Sequence, residues 1–175
     1  SFNSGAYGNF NWGTGDTLAL SDNHTIATDT LIDAKSAQLL GSAGEDTFTV
    51  TGDKALDFTL GSRDLVKFSN VSTVDALGGT DTVMGQADQA WTLKGNKHLS
   101  DGNIDFEQIE VAQVVSGDAS IDAGNISGSG TDAFIVVGSG AVGAQGIDFA
   151  SVNSVTFDTT DTVTDTGTYA YELES

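Results

Sequence analysis

A strand pattern that recurs about every 40 residues is the feature of this sequence that most constrains its fold. Each copy opens with a Gly-x-Asp segment and closes with an apolar-x-Phe segment, which ends at Phe68, Phe106 or Phe149. Repeats with periods of roughly 20 to 50 residues fold as stacked units, because each unit needs its neighbours to complete its core. The sequence therefore predicts that these three phenylalanines lie on top of one another in one continuous β core.

Short segments rich in Thr, Val, Ile and Phe, bounded by Gly, Asn, Asp and Ser, predict β-strands throughout the chain. Residues 47–51 alternate Thr with Phe and Val, as in a strand with one face in the core and one in water. Only Ala34–Leu40 has a composition that fits a helical turn. We therefore predict a single all-β domain over residues 1–175. Its degenerate repeat units span residues 44–80, 81–118 and 130–164.

The length of the repeat favours a parallel β-helix, also called a β-solenoid. A unit of about 40 residues holds three to four short strands, which suits two coils of about 20 residues each. The chain contains no proline, as expected where each interior strand must donate its backbone N–H groups. An antiparallel β-sandwich is the alternative, because its turns, spaced about 8 to 12 residues apart, look much the same in a sequence.

The charge of the chain excludes several classes of function. It carries 25 acidic residues against 6 Lys and Arg, for a formal net charge of -19. A field of this sign repels phosphate backbones and anionic lipids, and no apolar run approaches the ~20 residues of a membrane span. We therefore predict neither nucleic-acid binding nor membrane insertion. The absence of cysteine excludes disulfides, thiol nucleophiles and Cys-ligated zinc.

Several strings in the chain resemble the repeats of large secreted bacterial adhesins and exoproteins. The strings are GEDTFTV at 44–50, GTDTV at 79–83, GSGTDAFIVVG at 128–138 and the segment IDFASV at 147–152. In this the chain is similar to filamentous-haemagglutinin-like exoproteins and to RTX-type surface proteins, over roughly residues 41–164. The resemblance implies an extracellular or cell-surface module that extends a fibre or contacts a cell-surface glycan or receptor.

The likeness to RTX proteins also implies a calcium site. In the RTX nonapeptide, G-G-x-G-x-D-x-U-x, glycines make tight turns and the aspartate carboxylate binds Ca²⁺. Gly128, Gly130, Asp132 and Phe134 match this spacing, and Asp81 follows a shorter Gly-x-Asp form. Because the copies do not recur every nine residues, no tandem calcium ladder is expected. A single Ca²⁺ near Asp81 or Asp132 is one hypothesis, and the simpler one is that each aspartate caps a turn through its side chain.

Catalysis is not predicted. The pairs Asp158 with Asp161 and Asp105 with Glu107 could in principle do acid–base work, as in β-helix enzymes that act on polysaccharides. With 25 acids in the chain, however, chance pairs are expected, and all six basic residues precede residue 98. We predict that the chain is not an enzyme, and a polysaccharide-acting β-helix enzyme is the remaining alternative.

The N-terminal segment suggests a route to self-association. Residues 1–13 are uncharged and carry the aromatic residues Phe2, Tyr7, Phe10 and Trp12. Such an arm could add as a strand to the open sheet edge of another subunit and so build a homopolymer, as a fibre or a surface layer. The alternative is that the arm caps its own solenoid, since terminal repeats need a cover. The possible partners of the module are then neighbouring repeats of the same protein.

Overall fold

The computed structural model describes residues 17–19, 31–34, 38–60, 65–123, 133–138, 140–156 and 162–165. All regular structure in these residues is β-strand. No helix in them is long and apolar enough to span a membrane. The predicted helical turn at Ala34–Leu40 is wrong in its described part, because Gln38–Leu40 is a strand that pairs with two others and buries Leu39.

The described strands are numbered in chain order. They are β1 (Thr17–Ala19), β2 (Leu31–Asp33), β3 (Gln38–Leu40), β4 (Asp46–Gly52), β5 (Ala55–Leu60), β6 (Leu65–Ser69), β7 (Thr73–Asp75), β8 (Thr82–Gly85), β9 (Ala90–Gly95), β10 (His98–Ser100), β11 (Asp105–Glu107), β12 (Val111–Val114), β13 (Ala119–Asp122), β14 (Ala133–Gly138), β15 (Ala141–Ala144), β16 (Ile147–Ala150), β17 (Val152–Thr156) and β18 (Thr162–Asp165).

These strands form two sheets. Sheet A has the order β1-β3-β7-β11-β10-β9-β13-β17, and sheet B has the order β18-β14-β15-β16-β12-β8-β4-β5-β6-β2. Three antiparallel meanders, β4–β6, β9–β11 and β14–β16, each stay within one sheet. Every other connection along the described strands passes from one sheet to the other. The inward side chains of both sheets form one hydrophobic core.

Each repeat consists of one meander followed by two single strands, one in each sheet. Because three sheet changes, an odd number, separate one meander from the next, successive meanders fall in sheets B, A and B. All described pairs outside the meanders are parallel, including β3 with β7, β4 with β8 and β13 with β17. The predicted β-solenoid of about 40-residue repeats is therefore confirmed. The antiparallel sandwich is not the fold, because parallel ladders join the units.

The alternation of the meanders corrects the predicted stacking of the three phenylalanines. Phe68, Phe106 and Phe149 all lie in the third strand of a meander and all are buried. Phe68 and Phe149, however, lie in sheet B, whereas Phe106 lies in sheet A. Equivalent residues of neighbouring units therefore enter the same core from opposite sheets instead of lying on top of one another. The repeat is real, but its symmetry includes an exchange of sheets.

Packing within sheet B follows the register of its strands. Val83 lies between Phe48 of β4 and Ala112 of β12 in one inward-facing row, and all three are buried. Phe48 also pairs with Phe58 of β5, with ring centroids 4.8 Å apart in a stacked arrangement. Two phenylalanines thus lie beside two smaller apolar side chains along the row, and this uneven surface allows it to interdigitate with the facing sheet.

Tight turns in the solenoid place several residues in the left-handed region of backbone space. Gln145 and Gly146 both have positive φ and link β15 to β16 as a two-residue hairpin of the type I′ class. Leu77, in the turn between β7 and β8, has a φ of 71° although it has a bulky side chain that is 39% exposed. A leucine is disfavoured in this region, so the residue at position 77 destabilises its own turn.

Replacing Leu77 with asparagine is expected to raise the free energy of unfolding by about 0.5–1 kcal/mol, because asparagine tolerates the left-handed region. The effect is measured by urea denaturation. Val115→Asn is the matched control, since Val115 is 54% exposed but is not among the residues with positive φ. An equal gain from Val115→Asn would assign the effect to the loss of exposed apolar surface instead.

Candidate functional site

Acidic residues from three parallel strands meet at one side of the solenoid, where the chain passes from sheet A to sheet B. Asp46 opens β4, Asp81 directly precedes β8 and Glu110 directly precedes β12. The register pairs Thr47 with Thr82 and Thr82 with Val111, so the residues before them are neighbours as well. We refer to Asp46, Asp81 and Glu110 as the carboxylate ladder.

Asp81 is the central member of the ladder and is bonded to both neighbours. Its Oδ1 accepts a hydrogen bond from the backbone N–H of Asp46 at 2.8 Å, and its own N–H donates to Oε2 of Glu110 at 2.8 Å. Its carbonyl oxygen accepts from the N–H groups of Glu110 and Val111 at 3.1 and 3.0 Å. Asp81 thereby joins the turns that precede three consecutive parallel strands.

Asp46 holds the first of these turns closed. Its carboxylate accepts hydrogen bonds from the backbone N–H of Ser42 at 2.6 Å and from the Ser42 hydroxyl at 3.1 Å. Ser42 Oγ in turn accepts from the N–H of Gly44 at 3.0 Å. The carboxylate packs close to the backbone of Gly41, where a Cβ atom would lie 2.7 Å from Asp46 Oδ2. This position in the turn therefore requires glycine.

Lys97 supplies a positive charge at the other end of the ladder. It lies in the hairpin between β9 and β10, and its Nζ is 2.6 Å from Oε1 of Glu110. The two side chains are 42% and 18% exposed, so the ion pair is partly shielded from water. The backbone fixes Lys97 in place, because its N–H donates to the carbonyl of Gln145 and its carbonyl accepts from Ile109.

The second carboxylate oxygen of Asp81, Oδ2, differs from Oδ1 in its surroundings. Asp81 is fully buried, and its Oδ2 has no hydrogen-bond partner among the described residues. The pKa of Asp81 is raised from 3.8 to about 6, mainly by burial and in part by the negative charges of Asp46 and Glu110. The hydrogen bond from Asp46 N–H and the charge of Lys97 act in the opposite direction. The ladder therefore contains a carboxyl group that titrates close to neutral pH.

The calcium hypothesis for Asp81 and Asp132 stays a prediction. Asp132 lies outside the described residues. Among those that are described, no group of three or more His, Cys, Asp or Glu side chains could hold a metal ion. Calcium takes about six to eight oxygen ligands. At Asp81 the carboxylate instead accepts from the N–H of Asp46, and Lys97 pairs with Glu110. The aspartate therefore caps a turn, as in the alternative hypothesis, but the turn is the one before β4.

The remaining predicted sites are separate from the ladder. Asp105 and Glu107 lie on the outer face of sheet A in β11, where Asp105 is 3.6 Å from the ammonium group of Lys94. Their side chains are half-buried, and Phe106 between them points into the core. The arm residues Phe2, Tyr7, Phe10 and Trp12, together with Asp158 and Asp161, lie outside the described residues.

Sequence reasoning identified Asp81 but missed Glu110 and Lys97. The turn before Glu110 is shorter than those before Asp46 and Asp81, so its residues do not spell Gly-x-Asp. Lys97 is brought to the ladder by the β9–β10 hairpin, and no spacing motif in the sequence links this hairpin to Asp81. The sequence position of Glu110 could have identified it, because this acidic residue directly precedes a strand, as Asp81 does.

Comparison of the chain with protein-family models, with curated proteins and with solved structures finds no match.

Proposed function

We propose that this chain is a structural or adhesive module of an extracellular bacterial protein, and that it serves as a segment of a rod. The observation that carries the proposal is the solenoid itself, in which parallel ladders join similar units along one axis. Such folds are quasi-one-dimensional and can be lengthened by adding units. The extracellular location and the adhesive role rest on the resemblance of the repeat strings to secreted adhesins and exoproteins.

The chemistry of the ladder supports a structural role over a catalytic one. Asp46 and Asp81 are buried, and their bonded oxygens accept hydrogen bonds from turn N–H groups or from Ser42. A catalytic acid or base must instead reach the substrate atom within hydrogen-bond distance. The half-exposed pair Asp105 and Glu107 lies on the outer face of a sheet, where Lys94 neutralises one partner. Neither set offers two free carboxylates facing one bound sugar.

The acidic surface suggests how such a module behaves outside the cell. With a net charge of -19, copies of the module repel one another at low ionic strength and stay dispersed. Partners that tolerate this field are neutral glycans, receptors with basic patches, or other repeats screened by salt. We therefore expect adhesion, where it occurs, to involve a neutral or basic surface.

Binding and turnover assays on one polysaccharide and glycan panel test the proposal. Beads coated with the full chain are expected to be retained on some glycan or cell-surface preparations, without any release of reducing sugar. Heat-unfolded protein on the same beads is the control for non-specific charge effects. Saturable depolymerisation that is lost in Asp105→Asn or Asp161→Asn would establish an enzyme and overturn the proposal.

A further inference from the structure

The two ends of the solenoid match in sheet order. Among the described strands, the chain starts in sheet A with β1 and ends in sheet B with β18, and it changes sheet at every step outside the meanders. A second copy placed beyond β18 would therefore begin in sheet A, where the alternation requires the next strand to be. Nothing in the order of the sheets has to change at the junction.

The two ends also match in strand direction. Following the pairings through sheet A, two antiparallel steps within the β9–β11 meander cancel, so that β1 and β17 run in the same direction. In sheet B the four antiparallel steps of the β4–β6 and β14–β16 meanders also cancel, so β2 is parallel to β18. Both edges at one end are thus directed for parallel pairing with the corresponding edges at the other end. All described pairs between units within the molecule are of this parallel kind.

β17 is an edge strand of sheet A, and its sequence and backbone groups are suited to pairing with a further strand. The carbonyl of Thr156 accepts from the N–H of Ala123, which directly follows β13. The backbone groups of the preceding residue, Val155, therefore point away from β13. No described residue lies on that side of β17 in sheet A. The strand Val152–Thr156 also contains no charge and no proline, the features with which proteins usually block an exposed edge.

Apolar side chains at this end of the molecule are incompletely covered. Val152, Val155 and Val163 pack against the core but remain only partly buried, whereas the equivalent inward positions within the solenoid are fully buried. Covering them by another β layer would remove apolar surface from water at roughly 25 cal/mol per Å². The occupant best matched to the end is a second copy, because its first strands have the required sheet order and direction.

We propose that the β17/β18 end of one copy pairs in parallel with the β1/β2 end of a second copy, so that the chain assembles head to tail. This inference rests on the structural role proposed above and names the partner. Because the interface joins two different surfaces at opposite ends of the solenoid, each added copy leaves a free end for the next, and stacking along one axis generates a filament. The net charge of -19 opposes the contact, so assembly is promoted by salt, which screens charges beyond about 3 Å at about 1 M.

Sedimentation velocity and electron microscopy of the full chain at low and high salt test the proposal. At high salt we expect species larger than a dimer and linear particles. Val155→Pro removes the outward N–H and should therefore return the protein to monomer. Val155→Thr also replaces the valine side chain but keeps the N–H, so this variant should still assemble. Circular dichroism establishes that both variants are folded. Wild-type protein that stays monomeric or stops at a dimer, or assembly that survives Val155→Pro, would overturn the interface.

A cross-linking experiment gives a second readout that does not depend on a proline. The chain has no cysteine, so Thr164→Cys in β18 and Asp33→Cys in β2 each introduce a single exposed thiol. Under mild oxidation at high salt, a mixture of the two variants should form the mixed disulfide faster than either variant forms its own. Equal rates in the three samples would contradict head-to-tail pairing. Glycan binding by an unassembled protein would leave the proposed function standing without this interface.

Discussion

Replacing Trp91 with alanine is expected to lower the free energy of unfolding by about 3–5 kcal/mol, the largest effect of any single core substitution in the described residues. Trp91 is fully buried in β9 and packs edge-on against Phe106 at a centroid distance of 6.4 Å. Its ring lies so close to Gly85 that a Cβ atom there would be 2.6 Å from Trp91 Cζ2. Truncation would leave a cavity that these rigid neighbours cannot fill.

The conservative variant Trp91→Phe separates packing from hydrogen bonding. Trp91 Nε1 is buried without a hydrogen-bond partner among the described residues, and an unsatisfied buried donor costs about 1–3 kcal/mol. Phenylalanine removes that donor and restores part of the ring, so its loss should be well under half of that in Trp91→Ala. Urea denaturation at constant pH measures both. If Trp91→Phe loses as much stability as Trp91→Ala, the indole N–H stabilises the folded state, which means that it forms a hydrogen bond.

Acidification from pH 7 towards pH 4.5 is expected to raise the contribution of Asp81 to stability by about 1–3 kcal/mol. The pKa of Asp81 in the folded state is about 6, above the ordinary value of 3.8, so the folded state binds the proton more tightly than the unfolded state. Stability from this group is therefore fully present at low pH and is lost as pH rises through about 6. The physical cause is the burial of a charged oxygen that has no partner.

Asp81→Asn is the variant that tests this pH dependence. It should be more stable than the wild type at pH 7, with the difference disappearing near pH 4. Asp53→Asn is the matched control, because it removes the same formal charge from an exposed hairpin and so reports the general relief of acidic repulsion. A pH profile of thermal unfolding that is unchanged in Asp81→Asn would remove Asp81 as the titrating group.

Thermal unfolding of the wild type and of Asp81→Asn, measured with and without calcium, shows whether a proton or a metal ion neutralises the Asp81 carboxylate. If Ca²⁺ stabilises the wild type at pH 7 and Asp81→Asn abolishes that gain, a cation neutralises the ladder, as the RTX likeness implies. If Ca²⁺ has the same small effect on both proteins, protonation and turn capping account for the buried carboxyl. In the second case, Asp81 acts only by joining the turns that precede β4, β8 and β12.

The sequence by itself determined the β-strand character of the chain and the inward faces of its clearly alternating strands. Alternation of apolar and polar residues identifies which side chains point to the core, and Phe48, Val50, Phe58, Trp91 and Leu93 are buried as that pattern predicts. The period of about 40 residues determined that the chain is built from stacked units. Both properties depend on residues close together in sequence, so they can be recognised without knowing which strands pair.

Only the tertiary structure decided which strands pair, and in which sheet each meander lies. A period-two pattern determines the face of a strand but not its partner, so it could not show that Phe106 enters the core opposite Phe68 and Phe149. The same limit hid the candidate site. The titration of Asp81 depends on its burial and on Asp46, Glu110 and Lys97, which belong to other coils. Electrostatic effects act through space at distances of a few ångströms, whereas sequence patterns describe only neighbours along the chain.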